Sequence, residues 1–177
     1  MLPCVSRSLL LLVAVFLMAG CSYSIQGEPV AEPLPPGPAV ATPRKTANID
    51  PCTLITDADL KSLGTPKYKP TAQSEKVPNS CLFVMNEDVQ VMIAVPYRSF
   101  DESKNRQKGS EVQTLKHATW LSCGPEGDNM VCTATIATSR NESLLVAINK
   151  KGVTALQATN LLEPVAQTAL KRLPAAS

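Results

Sequence analysis

Residues 112–139, VQTLKHATWLSC-GPEGDN-MVCTATIATS, contain the pattern on which the predicted fold depends. Two runs of mainly aliphatic, threonine and aromatic residues, 112–123 and 130–139, flank a polar segment that holds two glycines and a proline. Strand-forming runs on either side of turn-forming residues are typical of a β-hairpin. We therefore expect an antiparallel pair of strands here, joined by a turn at 124–129.

Another hairpin is expected upstream, from residues 80–85 and 89–95, with Asn86-Glu87-Asp88 between them. Alternate residues of the second run are aliphatic, which gives that strand one apolar face: Val89, Val91, Ile93 and Val95. Pro96 is expected to end this strand, because proline cannot donate to a strand ladder. A further strand is expected at 144–149.

Three helices are predicted. Residues 57–63 follow Thr56, a good N-cap, and precede Gly64, a good C-cap. The polar segment 98–109 is expected to hold a short surface helix. Residues 153–173 have an apolar stripe at helical spacing, in which Pro164 either kinks the helix or lies in its first turn after an Asn160 cap.

These elements indicate an α+β domain. We expect an antiparallel sheet of about five strands that packs one face on a short N-terminal helix and a C-terminal helix. A small β-sandwich is the alternative.

Residues 1–20 have the features of an export signal. Arg7 is the only charge and precedes the apolar run 8–18, which is too short to span a bilayer as a permanent helix. The segment Leu17-Met18-Ala19-Gly20-Cys21 then resembles a bacterial lipobox, although Met18 stands where leucine is usual. This resemblance implies that Cys21 is thioether-linked to diacylglycerol and becomes the N-terminus at the outer face of the cell membrane; an ordinary secretory cleavage is the alternative.

After Cys21 the composition changes twice. Residues 22–48 hold six of the 15 prolines and few large apolar side chains, which is typical of an extended tether. From residue 49 the composition is globular. The predicted organisation is therefore a signal at 1–20, a lipidated cysteine with its tether at 21–48, and a domain at 49–177.

The chain has six cysteines, of which Cys4 leaves with the signal and Cys21 takes the lipid. An even remainder of four in an exported domain indicates two disulfides. Because Cys123 and Cys132 flank a predicted hairpin turn, we expect them to pair, which leaves Cys52 with Cys81. The rival reading, a zinc or thioredoxin-like redox site, lacks the C-x₂-C spacing that it requires.

The opening of the domain, Ile49-Asp50-Pro51-Cys52-Thr53-Leu54-Ile55-Thr56, resembles a family of small actinobacterial lipoproteins catalogued as a domain of unknown function. Asn79-Ser80-Cys81-Leu82-Phe83 and the alanine-rich end with Leu173-Pro174 fit the same family, which has no established enzymatic activity. Similar two-disulfide domains occur as extracellular sensor regions of actinobacterial kinases. The resemblance implies a fold and a location in the cell envelope, but no enzymatic activity.

Composition excludes some partners. A net charge of +2 and 4% aromatic residues give no reason to expect nucleic acid. No Gly-rich phosphate loop, nucleophile motif or metal-ligand spacing is present, so we expect no catalytic residues, no metal and no cofactor.

Four side chains are candidates for function. His117, the only histidine, is expected to be partly buried and hydrogen-bonded, and Trp120 to lie in the core. Tyr97 and Phe100 flank a polar loop and are expected to form a small exposed apolar surface for a partner.

The sequence thus favours an envelope lipoprotein, anchored in the membrane, that binds an envelope protein or small ligand as a sensor or accessory module. The alternatives are a surface hydrolase with an unrecognised site around His117 and a lipid or small-ligand carrier.

Overall fold

The computed structural model describes residues 37–73 and 77–176. Seven strands form one antiparallel sheet in the order β1-β2-β3-β7-β6-β5-β4. The strands are β1 (Thr71–Gln73), β2 (Ser80–Val84), β3 (Val89–Tyr97), β4 (Ser110–Thr114), β5 (His117–Glu126), β6 (Asn129–Ala137) and β7 (Ser143–Lys151). Two α-helices, α1 (Phe100–Arg106) and α2 (Ala155–Arg172), and two 3₁₀ turns, Pro51–Thr53 and Lys61–Leu63, complete the domain.

The main core lies between one face of the sheet and α2. Alternate residues of each central strand supply it, as the period of two in a strand requires. They include Val91 and Ile93 of β3, Ile136 of β6 and Val146 of β7, all at most 1% exposed. The helix α2 contributes the predicted stripe, Leu162, Val165, Ala166, Ala169 and Leu173, all buried, and Leu170 joins it.

Helix α2 has favourable residues at both ends. Thr154 and Gln157 form a reciprocal capping box at its start, and Lys171 and Arg172 lie in its last turn, where cations favour the helix dipole. Because the helix begins at Ala155 with Thr154 as its N-cap, Pro164 lies in its interior, on an exposed position, and Asn160 is not a cap.

The α+β class is confirmed, but the expected number of about five strands is wrong. Within residues 112–123, Leu115 and Lys116 adopt left-handed φ angles of 50° and 65° and make a two-residue turn between β4 and β5. The other additional strand is β1, which pairs with β2 in a segment where no strand was expected. All seven described strands share one sheet, so the alternative of a β-sandwich is not what forms.

Pro96 does not end its strand. A cis bond joins Val95 to Pro96, and β3 continues to Tyr97, which pairs with Ser143 after a register shift. The shift removes proline from the regular ladder, where its missing N–H would otherwise leave an acceptor unpaired.

The expected helix at 57–63 is also wrong, because the segment consists of turns followed by the 3₁₀ turn Lys61–Leu63. Asp59 accepts hydrogen bonds from the N–H and Oγ1 of Thr56, at 2.7 Å each, and from both terminal nitrogens of Arg172, at 2.6 and 3.1 Å. Burial opposes ionisation of Asp59, but these bonds outweigh it and hold its pKa below the usual 3.8. The segment is therefore fixed by a long-range ion pair, and a helix this short gains little from its own bonds.

Residues 37–48, assigned to the tether, lie against the sheet. Ala39 accepts a 2.7 Å hydrogen bond from Ala118 N–H, and Lys45 N–H donates to Pro174 at 2.8 Å. Thr46 is 2% exposed and its hydroxyl bonds to the Glu142 carboxylate. The folded part of the chain therefore begins earlier than the predicted residue 49.

Candidate functional site

Both cysteine pairs predicted from the sequence are disulfides in the structure, Cys52–Cys81 and Cys123–Cys132. Cys132 lies directly opposite Cys123 in the β5–β6 ladder, which explains why the hairpin brings them together. Cys81 and Cys132 are fully buried. The four cysteines are therefore structural, and Cys21, the expected lipidation site, lies outside the described residues.

His117 is enclosed in the protein. Its Nδ1 lies 2.7 Å from the carbonyl oxygen of Ala137, and the residue is 2% exposed. This confirms the expectation of a buried, hydrogen-bonded histidine. A general base must reach the proton that it abstracts, and only 2% of His117 is exposed to solvent.

Phe100 is buried, so its expected place on an exposed surface is wrong. It is 3% exposed and packs with Trp120 and Ala118 in a small second core on the side of the sheet opposite α2. Ser99 caps α1 through the Glu102 N–H and so directs the first helical residue toward the sheet. The expected apolar surface is thereby reduced to Tyr97, which is half-buried, with the Arg98 guanidinium 4.7 Å from its ring centre.

Trp120 lies in this second core, as expected. Its indole N–H donates to the carbonyl of Gln107 at 3.1 Å, and Lys104 lies 5.7 Å from the ring centre. Gly109 fits tightly beside it, because a Cβ at that position would come within 2.4 Å of the Leu121 carbonyl. These contacts hold the segment between α1 and β4 close to the sheet.

A surface that the sequence did not reveal lies where β4 and β5 extend beyond α2. We call it the edge cleft: a space of about 170 Å³ between β4–β5 and the outer side of α2. Its lining is aliphatic or threonine on most sides, and Glu163 is its one charged residue within the described chain. The lining comprises Val112, Gln113, Thr114, Thr119, Leu121, Ala134, Thr159, Leu162, Glu163 and Ala166.

The rim of the edge cleft exposes apolar side chains. Val112 on β4 is 37% exposed, and Leu115 in the neighbouring turn is 38% exposed. Only four large hydrophobic residues in the described chain are exposed to this degree, and these two are three positions apart on one strand and its turn. The two exposed residues are thus neighbours along the chain, and Val112 also lines the edge cleft.

The two edges of the sheet differ in how they are protected. Strand β1 has three residues and directly follows Pro70, and short length and proline both limit pairing with another chain. Strand β4 has five residues, contains no proline or lysine and has a regular register with β5 over its whole length. Among residues 37–73 and 77–176, no strand pairs with the outer edge of β4, so this part of the chain leaves that edge available to a further strand.

The face of the sheet opposite α2 is a second possible surface. Beyond the Phe100–Trp120 core it carries a depression of about 350 Å³ over Leu82, Met92 and Val131. These residues belong to interior strands, whose backbone groups are already used between neighbouring strands. This open face thus offers side chains alone, whereas the edge cleft offers side chains and a free strand edge.

Comparison of the chain with protein-family models, curated proteins and solved structures finds no match. Among residues 37–73 and 77–176, no three histidine, cysteine, aspartate or glutamate side chains are grouped as ligands for a metal ion. Neither helix of that part combines the length and the apolar character needed to cross a membrane.

Proposed function

We propose that this protein is a lipoprotein of the cell envelope that holds a non-catalytic binding domain at the outer face of the membrane, as a sensor or accessory module. The lipobox-like segment ending at Cys21 and the proline-rich stretch after it support the anchor. The two disulfides support an oxidising location, because such bonds persist outside the cytosol. The resemblance of the opening Asp50-Pro51-Cys52 to small actinobacterial lipoproteins agrees with both.

The observation that carries the binding function is the edge cleft. Next to it lie the exposed apolar side chains of Val112 and Leu115 and the outer edge of strand β4. Apolar surface at a sheet edge favours aggregation unless something covers it. A partner protein that covers this surface is therefore the function that the geometry supports best.

The two alternative functions have less support. A hydrolase that used His117 would need substrate access to a residue that is 2% exposed. A carrier for a lipid or a drug-sized ligand would need a pocket of about 300–1,000 Å³ that encloses most of the ligand. The edge cleft, at about 170 Å³, is smaller than this range, and the open-face depression of about 350 Å³ only reaches its lower end.

Fractionation of cells tests the anchor. Cys21→Ala should move the protein from the membrane to the soluble fraction or block its processing, because the diacylglycerol can no longer be attached. Cys4→Ala is the matched control, since the signal removes that residue. An exported wild-type protein with the mass of an unmodified Cys21 would contradict the anchor.

Photocrosslinking in intact cells tests the surface. A photoreactive residue in place of Leu115 should give a discrete crosslinked product with one envelope protein. Tyr68, exposed at 61%, provides a control on the β1–β2 side of the sheet, because the N–H of its neighbour Lys67 donates to the Val84 carbonyl of β2. Met92 reports on the open face. Products of equal yield at positions 68 or 92 would refute the assignment to the edge cleft.

A further inference from the structure

The partner of the edge cleft can be specified further from the backbone of β4. We propose that the domain binds an extended peptide segment of its partner, which adds to the sheet as an eighth strand beside β4 and places one aliphatic side chain in the edge cleft. This inference rests on the proposed function and names the class of partner for the same site.

The hydrogen-bonding pattern of β4 leaves donors and acceptors at the sheet edge. The two-residue turn at Leu115 and Lys116 makes Thr114 and His117 a hydrogen-bonded pair. Alternation along the ladder then bonds Val112 to Thr119. The residues between, Glu111 and Gln113, direct their backbone N–H and C=O groups away from β5.

Side-chain direction on β4 determines what an added strand meets. Val112 and Thr114 lie on the α2 side and line the edge cleft. A residue of the added strand opposite Val112 has its side chain on that same side, about 5 Å from the valine Cβ. The volume of the edge cleft suits one aliphatic side chain there, in the way that strand-adding recognition uses pockets for alternate residues.

The negative charge of Glu163 favours basic residues two positions before and after the aliphatic residue of the added strand. Glu163, the charged residue of the lining, is exposed on α2, and its carboxylate accepts a hydrogen bond from Gln167 at 3.1 Å. Side chains two positions before or after the aliphatic residue project on the same side of the added strand. Lysine or arginine there complements Glu163, whereas an acidic residue is repelled.

The opposite side of the added strand meets polar groups. The Glu111 side chain is already paired with Lys104 at 3.2 Å, and Gln113 is exposed. Small polar residues such as threonine therefore suit the alternate positions. The recognised segment has the pattern basic–polar–aliphatic–polar–basic.

A set of model peptides tests this pattern on the whole mature protein. The probes are acetyl-Thr-Lys-Thr-X-Thr-Lys-Thr-amide, with X varied over the twenty amino acids, and binding is followed by fluorescence polarisation of labelled peptides. We expect Leu, Ile, Val or Met at X to bind with a Kd on the order of 100 µM, and Gly or Asp to bind about tenfold more weakly. Glu163→Gln should weaken the lysine peptides about threefold.

Backbone methylation separates strand addition from simple burial of a side chain. In the added strand, the third and fifth residues present their N–H groups to β4, and the fourth and sixth present theirs to solvent. N-methylation at positions three and five should weaken binding at least about tenfold, and N-methylation at four and six should change it less than about twofold. Gln113→Pro, which removes an outward N–H, should weaken binding about fivefold, and Gln113→Ser should not.

Two results would overturn the inference. One is the failure of all twenty peptides to bind with a Kd below about 1 mM; the other is equal sensitivity to both patterns of N-methylation. If crosslinks at position 115 persist in cells in either case, the edge cleft binds a folded surface and the proposed function stands. If those crosslinks are also absent, the proposed function is wrong as well.

Discussion

Removal of the two disulfides should destabilise the domain by different amounts, in an order set by loop length. We compare the double variants Cys52→Ala/Cys81→Ala and Cys123→Ala/Cys132→Ala. The first bridge closes a loop of 29 residues and the second a loop of 9. The chain-entropy relation gives losses of about 3.6 and about 2.6 kcal/mol in the free energy of unfolding.

The native-state costs of the two double variants are closely matched. Each bridge joins one fully buried cysteine, Cys81 or Cys132, to one that is partly exposed. The small cavities left by alanine are therefore similar and cancel in the comparison. The difference of about 1 kcal/mol then reports on the unfolded chain, in which the longer loop gains more freedom when it is released.

Urea unfolding followed by circular dichroism measures this difference. With an m-value of about 2 kcal/mol/M, the midpoints should fall by about 1.8 and 1.3 M relative to the wild-type protein. Equal midpoints, or a larger loss for the Cys123–Cys132 variant, would refute the reasoning. The second outcome would mean that local packing of that bridge under Thr159, 3.5 Å from Cys123 Sγ, outweighs chain entropy.

Three further predictions concern stability. The pKa of Asp59 is lowered in the folded protein, so its ionised carboxylate stabilises the fold fully above its unfolded pKa, and this stabilisation is lost as the pH falls through its folded pKa. Asp59→Asn should therefore lower the free energy of unfolding by about 1 kcal/mol at pH 7 and by less at pH 3, as measured by urea midpoints. The double change Leu115→Asn/Lys116→Gly should raise the free energy of unfolding by about 1 kcal/mol, because both positions have left-handed φ angles; a lower thermal midpoint would contradict this. Phe100→Ala should cost about 3 kcal/mol by the same unfolding assay, whereas a surface position would lose less than about 0.5 kcal/mol.

Local patterns in the sequence predict much of this fold. The aliphatic alternation at Val91 and Ile93, the hairpin around 124–129 and the stripe on α2 each follow from a period of two or 3.6 residues, and all three form. The turn of the hairpin is shorter than the expected 124–129, because β5 continues to Glu126 and β6 begins at Asn129. The disulfide partners follow from the same hairpin. These features depend on neighbours in the chain, which sequence reasoning can use directly.

The features that sequence reasoning missed depend on distant contacts. Leu115-Lys116 lacks the asparagine or glycine typical of its turn, so β4 and β5 appear as one strand. Strand β1 has only three residues and forms by pairing with β2. The burial of Phe100 depends on Trp120, twenty positions away.

The edge cleft was not predicted because residues 112–123 were expected to form one strand, with no turn at Leu115-Lys116. Within one long strand at 112–123, Val112 would have been an ordinary apolar residue near a strand end. Because the chain reverses at Leu115, Val112 instead lies on the outermost of the seven described strands. The turn at Leu115-Lys116 contains no glycine or asparagine that would mark it in the sequence. The edge cleft can therefore be found only once the pairing of β4 with β5 is known from the structure.

The proposed membrane anchor would make the proposed strand addition effective, because it raises the local concentration of the partner. A contact with one pocket and a few backbone hydrogen bonds has a Kd on the order of 100 µM, and a partner free in solution at about 1 µM would occupy about 1% of such sites. Confinement of both molecules at one membrane raises the effective concentration to about 1 mM, at which about nine-tenths of the sites are occupied. Cys21→Ala should therefore abolish the crosslinks at position 115 in cells although the edge cleft is intact, and a foreign transmembrane anchor in place of the lipid should restore them. Crosslinks of undiminished yield from the soluble variant would show that the contact is stronger than one added strand can provide.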